Sequence, residues 1–143
     1  MSVRSDEDRV KAAIYAAFEA GKNRNFGVLS RIHVNDERFS KFGENRPYDV
    51  QGVHDALVQE EMGFASLSGY DYDIQNLKIG LIDKVAIATF LLNYSGVLVD
   101  NTTFEGRAIK VRSRATFVLT KSSSDWLIIH EHLSQIPDDH VKT

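Results

Sequence analysis

The segment WLIIHEHLS, residues 126–134, places His130, Glu131 and His132 in a run that otherwise has the pattern of a buried β-strand. Histidine and glutamate are common general acids and bases. Two histidines at i and i+2 lie on one face of a strand, where both can reach one metal ion. The chemistry that this segment supports therefore depends on which face of the strand is buried.

The preceding strand, predicted over residues 104–121, and the turn SSSD predict an antiparallel pairing that sets Thr120 opposite Trp126. In that register one face is apolar apart from Glu131 and carries Phe117, Ile129 and Leu133. The other face carries Arg114, Trp126, His130 and His132. Burial stabilises each Phe or Leu by about 1.5 to 3 kcal/mol, so the apolar face is expected to face the interior. A slip of one residue would exchange the two faces.

Glu131 is the predicted catalytic acid or base. Desolvation among Phe and Leu side chains is expected to raise its pKa toward neutrality. Tyr15 and Asp36 are the residues expected to orient a substrate. The alternative is that Glu131 is structural and pairs with an arginine such as Arg38 or Arg107.

The histidine pair lacks a third ligand at a recognisable spacing, so we predict no metal site. Cysteine is absent, which excludes disulfides, thiolate zinc sites and a cysteine nucleophile. Glycine-rich phosphate loops and nucleophile elbows are also absent. We predict no cofactor.

Composition is that of an ordinary globular domain: 143 residues, 43% hydrophobic, with a net charge of -3. Without a basic face, nucleic acid is not an expected partner. The apolar run at 85–99 is shorter than the roughly 20 residues of a membrane helix, so no membrane association is expected. The charged N-terminus does not have the pattern of a secretory signal, which favours a cytoplasmic location.

The order of elements indicates an α+β fold. Helical periodicity gives two helices, a short strand near 36–43 and a third helix, and from Tyr70 onward the period changes to two. Four long strands joined by short turns must be mostly antiparallel. A change of phase in the first of them predicts a bulge near Gln75 or Asn76. Residues 1–143 are predicted to form one domain, with a flexible tail over 136–143.

This order, together with RATFVLTKSSSDWLIIHEHLS and NDERFSKFG, resembles the SnoaL-like branch of the nuclear-transport-factor-2-like superfamily. The resemblance implies a cone-shaped fold, with three helices on the concave face of a curved sheet and a pocket between them. It also implies a homodimer formed through the outer face of the sheet. The expected interface residues are Arg114, Trp126, His130 and His132. The expected ligand-binding residues are Phe18, Phe42, Phe117, Ile129 and Leu133.

The resemblance implies more than one function. A small, largely apolar ligand is expected in the pocket, and the chain could be a cofactor-independent isomerase, cyclase or lyase. A steroid isomerase is disfavoured, because Lys41 lies at or near the position of the catalytic aspartate of ketosteroid isomerase. The alternative is a non-catalytic dimerisation or ligand-sensing module.

Overall fold

The computed structural model describes residues 3–44, 48–99 and 102–137. The helices are α1 (Val3–Lys22), α2 (Phe26–Arg31) and α3 (Val53–Ser66). The strands are β1 (Ser40–Phe42), β2 (Leu67–Ile82), β3 (Val85–Val99), β4 (Gly106–Ser122) and β5 (Asp125–Gln135). The predicted α+β class and the predicted order of elements are confirmed.

The sheet has the strand order β1-β5-β4-β3-β2. Short turns join β2 to β3 and β4 to β5, so these neighbours pair antiparallel, as do β3 and β4. β1 pairs parallel to β5, which is possible because α3 and three strands separate the two in sequence. The sheet is therefore mostly antiparallel, with one parallel edge strand.

The helices pack on one face of the sheet. The apolar stripe of α1, with Val10, Ile14 and Phe18, joins one core cluster with inward residues of β3 and β4 such as Phe90 and Phe117. α1 and α3 approach so closely that the ring of Phe64 lies over Gly21, where an added Cβ would be 2.4 Å from it. Only glycine leaves room for this approach.

Strand β2 contains the bulge predicted near Gln75. The register against β3 shifts between Gln75 and Lys78, and Asn76 has a φ of 57°. Asparagine tolerates this left-handed conformation better than most residues. A bulge increases the local twist and bends the strand, which suits a sheet that curves around its helices.

Strand β5 also contains a bulge, and the predicted register was wrong there. Lys121, not Thr120, pairs with Trp126, and the register shifts between Val118 and Leu119, opposite Ile129. Because of this extra residue in β5, even-numbered side chains face the interior before the bulge and odd-numbered ones after it. Trp126 and Ile128 are therefore buried before the bulge, and Glu131 is buried after it.

The chain forms no membrane-length apolar helix in the part that the structure describes. The apolar run at 85–99 is strand β3. Past β5, the Ile136 N–H donates to the carbonyl of Arg112 at 2.8 Å. Residues 138–143 of the predicted tail lie outside the described residues.

Candidate functional site

A cavity of about 210 Å³ lies between the helices and the sheet. Most of its wall is apolar and aromatic, from α1, α3 and the sheet, and includes Phe18, Phe64, Tyr70, Leu92, Tyr94, Phe117 and Leu133. Its charged lining residues are Lys41, Glu44, Glu60 and Glu131. This combination of an apolar body and a few polar groups is typical of a small-molecule site.

Four side chains form what we name the charged cluster: His33, Lys41, Glu60 and Glu131. Lys41 and Glu131 are direct partners in the parallel pairing of β1 with β5, so both side chains project from the same face. Glu60 reaches them from α3. His33 follows α2 and is held by a parallel bridge to Ile128 of β5. Four separate segments therefore build the cluster.

Each carboxylate of the cluster contacts both cations. Lys41 Nζ lies 2.9 Å from Glu60 Oε1 and 3.8 Å from Glu131 Oε1. His33 Nε2 lies 3.4 Å from Glu131 Oε2 and 3.8 Å from Glu60 Oε2. Lys41 is therefore closer to Glu60, and His33 is closer to Glu131.

The pKa of Glu131 moves opposite to the sequence-based prediction. Burial, at 2% exposure, would raise it, but the charges of Lys41 and His33 outweigh burial and lower it to about 2. Arg38, one of the two arginines named as an alternative partner, pairs instead with Asp36 at 2.8 Å. Glu131 is therefore ionised at neutral pH.

Glu60 titrates in the neutral range. Burial and the negative charge of Glu131 raise its pKa to about 7, although Lys41 and His33 pull it downward. Two carboxylates this close cannot both ionise freely, so one proton is retained by the pair. Environments that separate two pKa values in this way distinguish an acid from a base.

The two cations of the cluster stay protonated at neutral pH. Burial lowers the pKa of His33, but Glu131 and Glu60 together raise it to about 9. The same two carboxylates overcome the burial of Lys41 and raise its pKa above its usual value. A lysine that stays protonated supplies a positive charge and cannot act as a Schiff-base nucleophile.

The ligand atoms of His33, Glu60 and Glu131 lie within 4.8 Å of one another, a spacing that could hold a metal ion. However, the ammonium of Lys41 already lies 2.9 Å from Glu60 and compensates the carboxylate charge. We therefore assign the charged cluster as an ion-pair network with a shared proton.

A second polar group lies on the cavity wall at Glu44. Its carboxylate accepts hydrogen bonds from the Tyr94 hydroxyl, at 2.6 Å, and from the hydroxyl of Ser113. Ser113 is fully buried, so its hydroxyl requires such a partner. Glu44 also contributes to the raised pKa of Lys41, which connects the two polar groups electrostatically.

The SnoaL-like domain model matches residues 10–139 of the sequence. The chain belongs to the SnoaL-like domain family. Among curated protein sequences, none matches this chain with significance.

Solved structures share the fold of this SnoaL-like chain at low identity. A nuclear transport factor 2-like superfamily protein from Salmonella enterica serovar Typhimurium has a TM-score of 0.82 at 15% identity, over 96% of this chain and 95% of that one. An NTF2-like protein from Streptomyces avermitilis, proposed to be a dehydratase, has a TM-score of 0.81 at 16% identity, over 94% of this chain and 99% of that one. The association domain of C. elegans CaMKII has a TM-score of 0.68 at 14% identity, over 92% of this chain and 96% of that one.

Of the predicted catalytic and ligand-binding residues, the SnoaL-like cavity brings together Glu131, Phe18, Phe117 and Leu133. Tyr15 and Asp36 do not line it; Tyr15 packs near Tyr72, and Asp36 is exposed. Phe42 alternates with Lys41 along β1, so its ring lies on the other face, near His130 and His132. Ile129 lies in the β5 bulge and is not a lining residue.

Three of the four residues predicted for the dimer interface, Arg114, His130 and His132, lie on the sheet face opposite the helices. Trp126 does not. It is 4% exposed, belongs to the core, and its Nε1–H donates to Asp6 Oδ1 at 3.3 Å. The assignment of Trp126 to the outer face was wrong because it assumed an unbroken alternation along β5.

Sequence reasoning missed His33 and Glu60 as site residues and treated Lys41 only as a departure from a known enzyme. For Glu60 a signal was present. Ala56, Glu60 and Phe64 follow one another at intervals of four residues, which places Glu60 on the buried face of α3. His33 had no local signal, because its position depends on the bridge to β5.

The pH dependence of stability follows from the charged cluster. A folded-state pKa above the unfolded value means that the native state holds more protons, so stability falls as pH rises between the two values. The pKa of Glu60 is raised from 4.5 to about 7 and that of His33 from 6.5 to about 9, so both groups make the protein less stable as the pH rises. The pKa of Glu131 is lowered from 4.5 to about 2, so this group makes the protein less stable as the pH falls through that range.

We therefore expect the free energy of unfolding to be highest in mildly acidic solution and to decline toward about pH 9. Urea denaturation at a series of pH values measures it. In Glu60→Gln the decline in the free energy of unfolding between pH 4.5 and about pH 7 should disappear. The decline between pH 6.5 and about pH 9, which is due to His33, should remain. A stability that rises steadily from acidic to alkaline pH would contradict these assignments.

Proposed function

We propose that this SnoaL-like chain binds a small, largely apolar molecule and is a cofactor-independent acid–base catalyst of the isomerase, cyclase or lyase type. One observation carries the proposal. Two carboxylates, Glu60 and Glu131, line a mostly apolar cavity, and their surroundings shift their pKa values in opposite directions. A carboxyl group whose pKa lies near the working pH can both take up and release a proton.

The roles follow from the charges. Glu60, with its pKa near 7, takes a proton from the ligand and gives it back. Glu131 stays ionised beside Lys41 and His33, and its negative charge keeps the pKa of Glu60 high. Lys41 stabilises negative charge that develops on a ligand oxygen. The name of the Streptomyces avermitilis protein as a proposed dehydratase supports a lyase as one member of this class.

The test uses β-tetralone, an apolar bicyclic ketone with exchangeable hydrogens beside its carbonyl. In D₂O the wild-type protein should accelerate deuterium incorporation at the carbon atoms beside the carbonyl, measured by NMR. Glu60→Gln should reduce the acceleration by at least about tenfold, since a positioned acid or base contributes about 10² to 10⁴-fold. Glu131→Gln should also reduce it, because the pKa of Glu60 falls when the neighbouring negative charge is removed. Glu37→Gln, a matched change at an exposed glutamate, should leave it unchanged.

Binding of the ketone to all four proteins is followed by chemical-shift changes, so that binding and catalysis are read separately. A ketone that binds to the wild type but exchanges no faster than with Glu131→Gln would overturn the catalytic proposal. It would favour the second candidate function, a non-catalytic dimerisation or ligand-sensing module. The likeness to the association domain of C. elegans CaMKII is the observation in favour of that candidate.

We also infer a homodimer formed through the outer face of the sheet. β3 presents a stripe of partly exposed apolar side chains there, Val85, Ile87, Val97 and Val99. Arg114 of β4 and His132 of β5 lie on the same face and supply polar contacts. An apolar stripe flanked by polar side chains is typical of a protein–protein interface.

Native mass spectrometry at micromolar concentration is expected to detect a dimer. Ile87→Lys, at a residue 41% exposed, should shift the protein toward monomer, because it places a charge in the interface. Val58→Lys is the control, since Val58 has a similar exposure of 38% but lies on α3. A wild-type protein that is entirely monomeric would contradict the inferred interface.

A further inference from the structure

His33 lies behind the carboxylates, outside the cavity. Its side chain is fully buried, it is not among the lining residues, and its ring packs edge-on against Phe39 at 5.5 Å. A ligand in the cavity therefore contacts Glu131 and Glu60 but not the imidazole. Any effect of His33 on chemistry must pass through the carboxylates.

Both ring nitrogens of His33 have defined surroundings. Nδ1 lies 2.7 Å from the carbonyl oxygen of Leu29, which can only accept, so Nδ1 carries a hydrogen. Nε2 faces oxygens of Glu131 and Glu60 at 3.4 Å and 3.8 Å. Two carboxylate oxygens around a bare nitrogen lone pair would repel it, so this arrangement favours an imidazolium with Nε2 protonated as well.

The two cations of the cluster favour opposite locations for the shared proton. Lys41 Nζ is closer to Glu60, at 2.9 Å, than to Glu131, at 3.8 Å, so alone it would keep Glu60 ionised. His33 has the reverse preference and lies closer to Glu131. Without the imidazolium, Lys41 would leave the proton on the more deeply buried Glu131.

We propose that His33 is a positioning residue that directs the shared proton to Glu60 and keeps Glu131 ionised. The proposal rests on the proposed function, because it explains how the cluster assigns acid and base. The groups that face His33 are Glu131 from β5, Glu60 from α3 and the Leu29 carbonyl from α2. Lys41 from β1 completes the set through its contacts with both carboxylates.

The test is NMR of protein labelled with ¹³C at the glutamate side-chain carboxyls and with ¹⁵N in the histidine rings. In the wild type at about pH 7, both nitrogens of His33 should be protonated, the carboxyl of Glu60 should titrate and that of Glu131 should not. In His33→Gln, Glu131 should titrate in place of Glu60. The midpoint of this carboxyl titration should be at least about one pH unit higher than in the wild type, since a neighbouring positive charge is lost. His54→Gln, at an exposed histidine, is the matched control and should change neither.

The outcomes separate this proposal from the proposed function. If Glu60 titrates in His33→Gln as it does in the wild type, His33 does not direct the proton, while the acid–base pair stands. A neutral His33 ring in the wild type at about pH 7 overturns the proposal without any substitution, so it remains testable if the variant does not fold. If both carboxyls of the wild type are ionised at about pH 6, the proposed function fails as well.

The same variant gives a kinetic readout. The pH profile of deuterium exchange into β-tetralone should shift in His33→Gln by the same amount and in the same direction as the NMR midpoint. A side chain that only fills space would lower the rate equally at every pH. An unshifted profile with a reduced rate would therefore overturn the proposal.

Discussion

Replacing Lys41 by methionine is expected to destabilise the protein by about 3 to 5 kcal/mol near pH 8. Methionine keeps most of the apolar stem but removes the ammonium, so Glu60 loses its closest positive charge and Glu131 loses one of its two neighbouring cations. Removing one partner of a buried ion pair has an effect of this size because the remaining charge is buried without compensation. Urea denaturation measures the loss.

The loss should be smaller near pH 5 than near pH 8, because the carboxylates can then take up protons and become neutral. The double variant Lys41→Met/Glu60→Gln should recover part of the stability at the higher pH, since it removes one of the two facing charges. Lys22→Met is the matched control. Lys22 pairs with Asp71 at 3.1 Å, but both side chains are largely exposed, so its loss should be about 0 to 1 kcal/mol. Equal losses in the two single variants would contradict the buried network.

Replacing Trp126 by alanine is expected to destabilise the protein by about 3 to 5 kcal/mol, the usual range for a buried Trp. The ring is 4% exposed in the core, and its Nε1–H donates to Asp6 of α1. The substitution removes both the packing and this contact. Thermal or urea unfolding measures the effect, and native mass spectrometry follows the subunit count of the same sample.

Phe104→Ala, at an aromatic residue outside the inferred interface, is the control. Phe104 is 82% exposed, so its effect on unfolding should stay within about 0.5 kcal/mol. If Trp126→Ala instead left unfolding unchanged and dissociated a dimer, Trp126 would lie at an interface, and the bulge in β5 would be misplaced. The pair of variants therefore tests the register of the last strand as well as the burial of one side chain.

The fold was largely predictable because it depends on local periodicity. Helical spacing in α1 and α3, the change to period two at Tyr70 and the break of phase near Gln75 are all visible along the chain. The bulge in β5 was not predictable in this way. Ile129 is an ordinary strand residue, and an alternating pattern does not reveal an extra residue when apolar side chains stand on both sides of it.

The charged cluster was predictable only in part. Glu131 could be proposed from the sequence, since it interrupts an apolar strand, and helical spacing also pointed to Glu60. The contact of Lys41 with Glu131 depends on a parallel pairing between residues 90 positions apart, which no local pattern encodes. The pKa of Glu131 could not be predicted for the same reason, because burial alone raises it, and it is lowered by residues distant in sequence, Lys41, His33 and Glu60.

The measurement that tests the account most directly is infrared difference spectroscopy of the wild-type protein and Glu60→Gln between about pH 6 and pH 8. Ordinary carboxylates are already ionised in this range. If Glu60 holds the shared proton, the wild type loses a protonated-carboxyl signal as the pH rises, and Glu60→Gln does not. A wild-type protein with no protonated carboxyl at about pH 6 would contradict the shared proton and, with it, the assignment of acid and base.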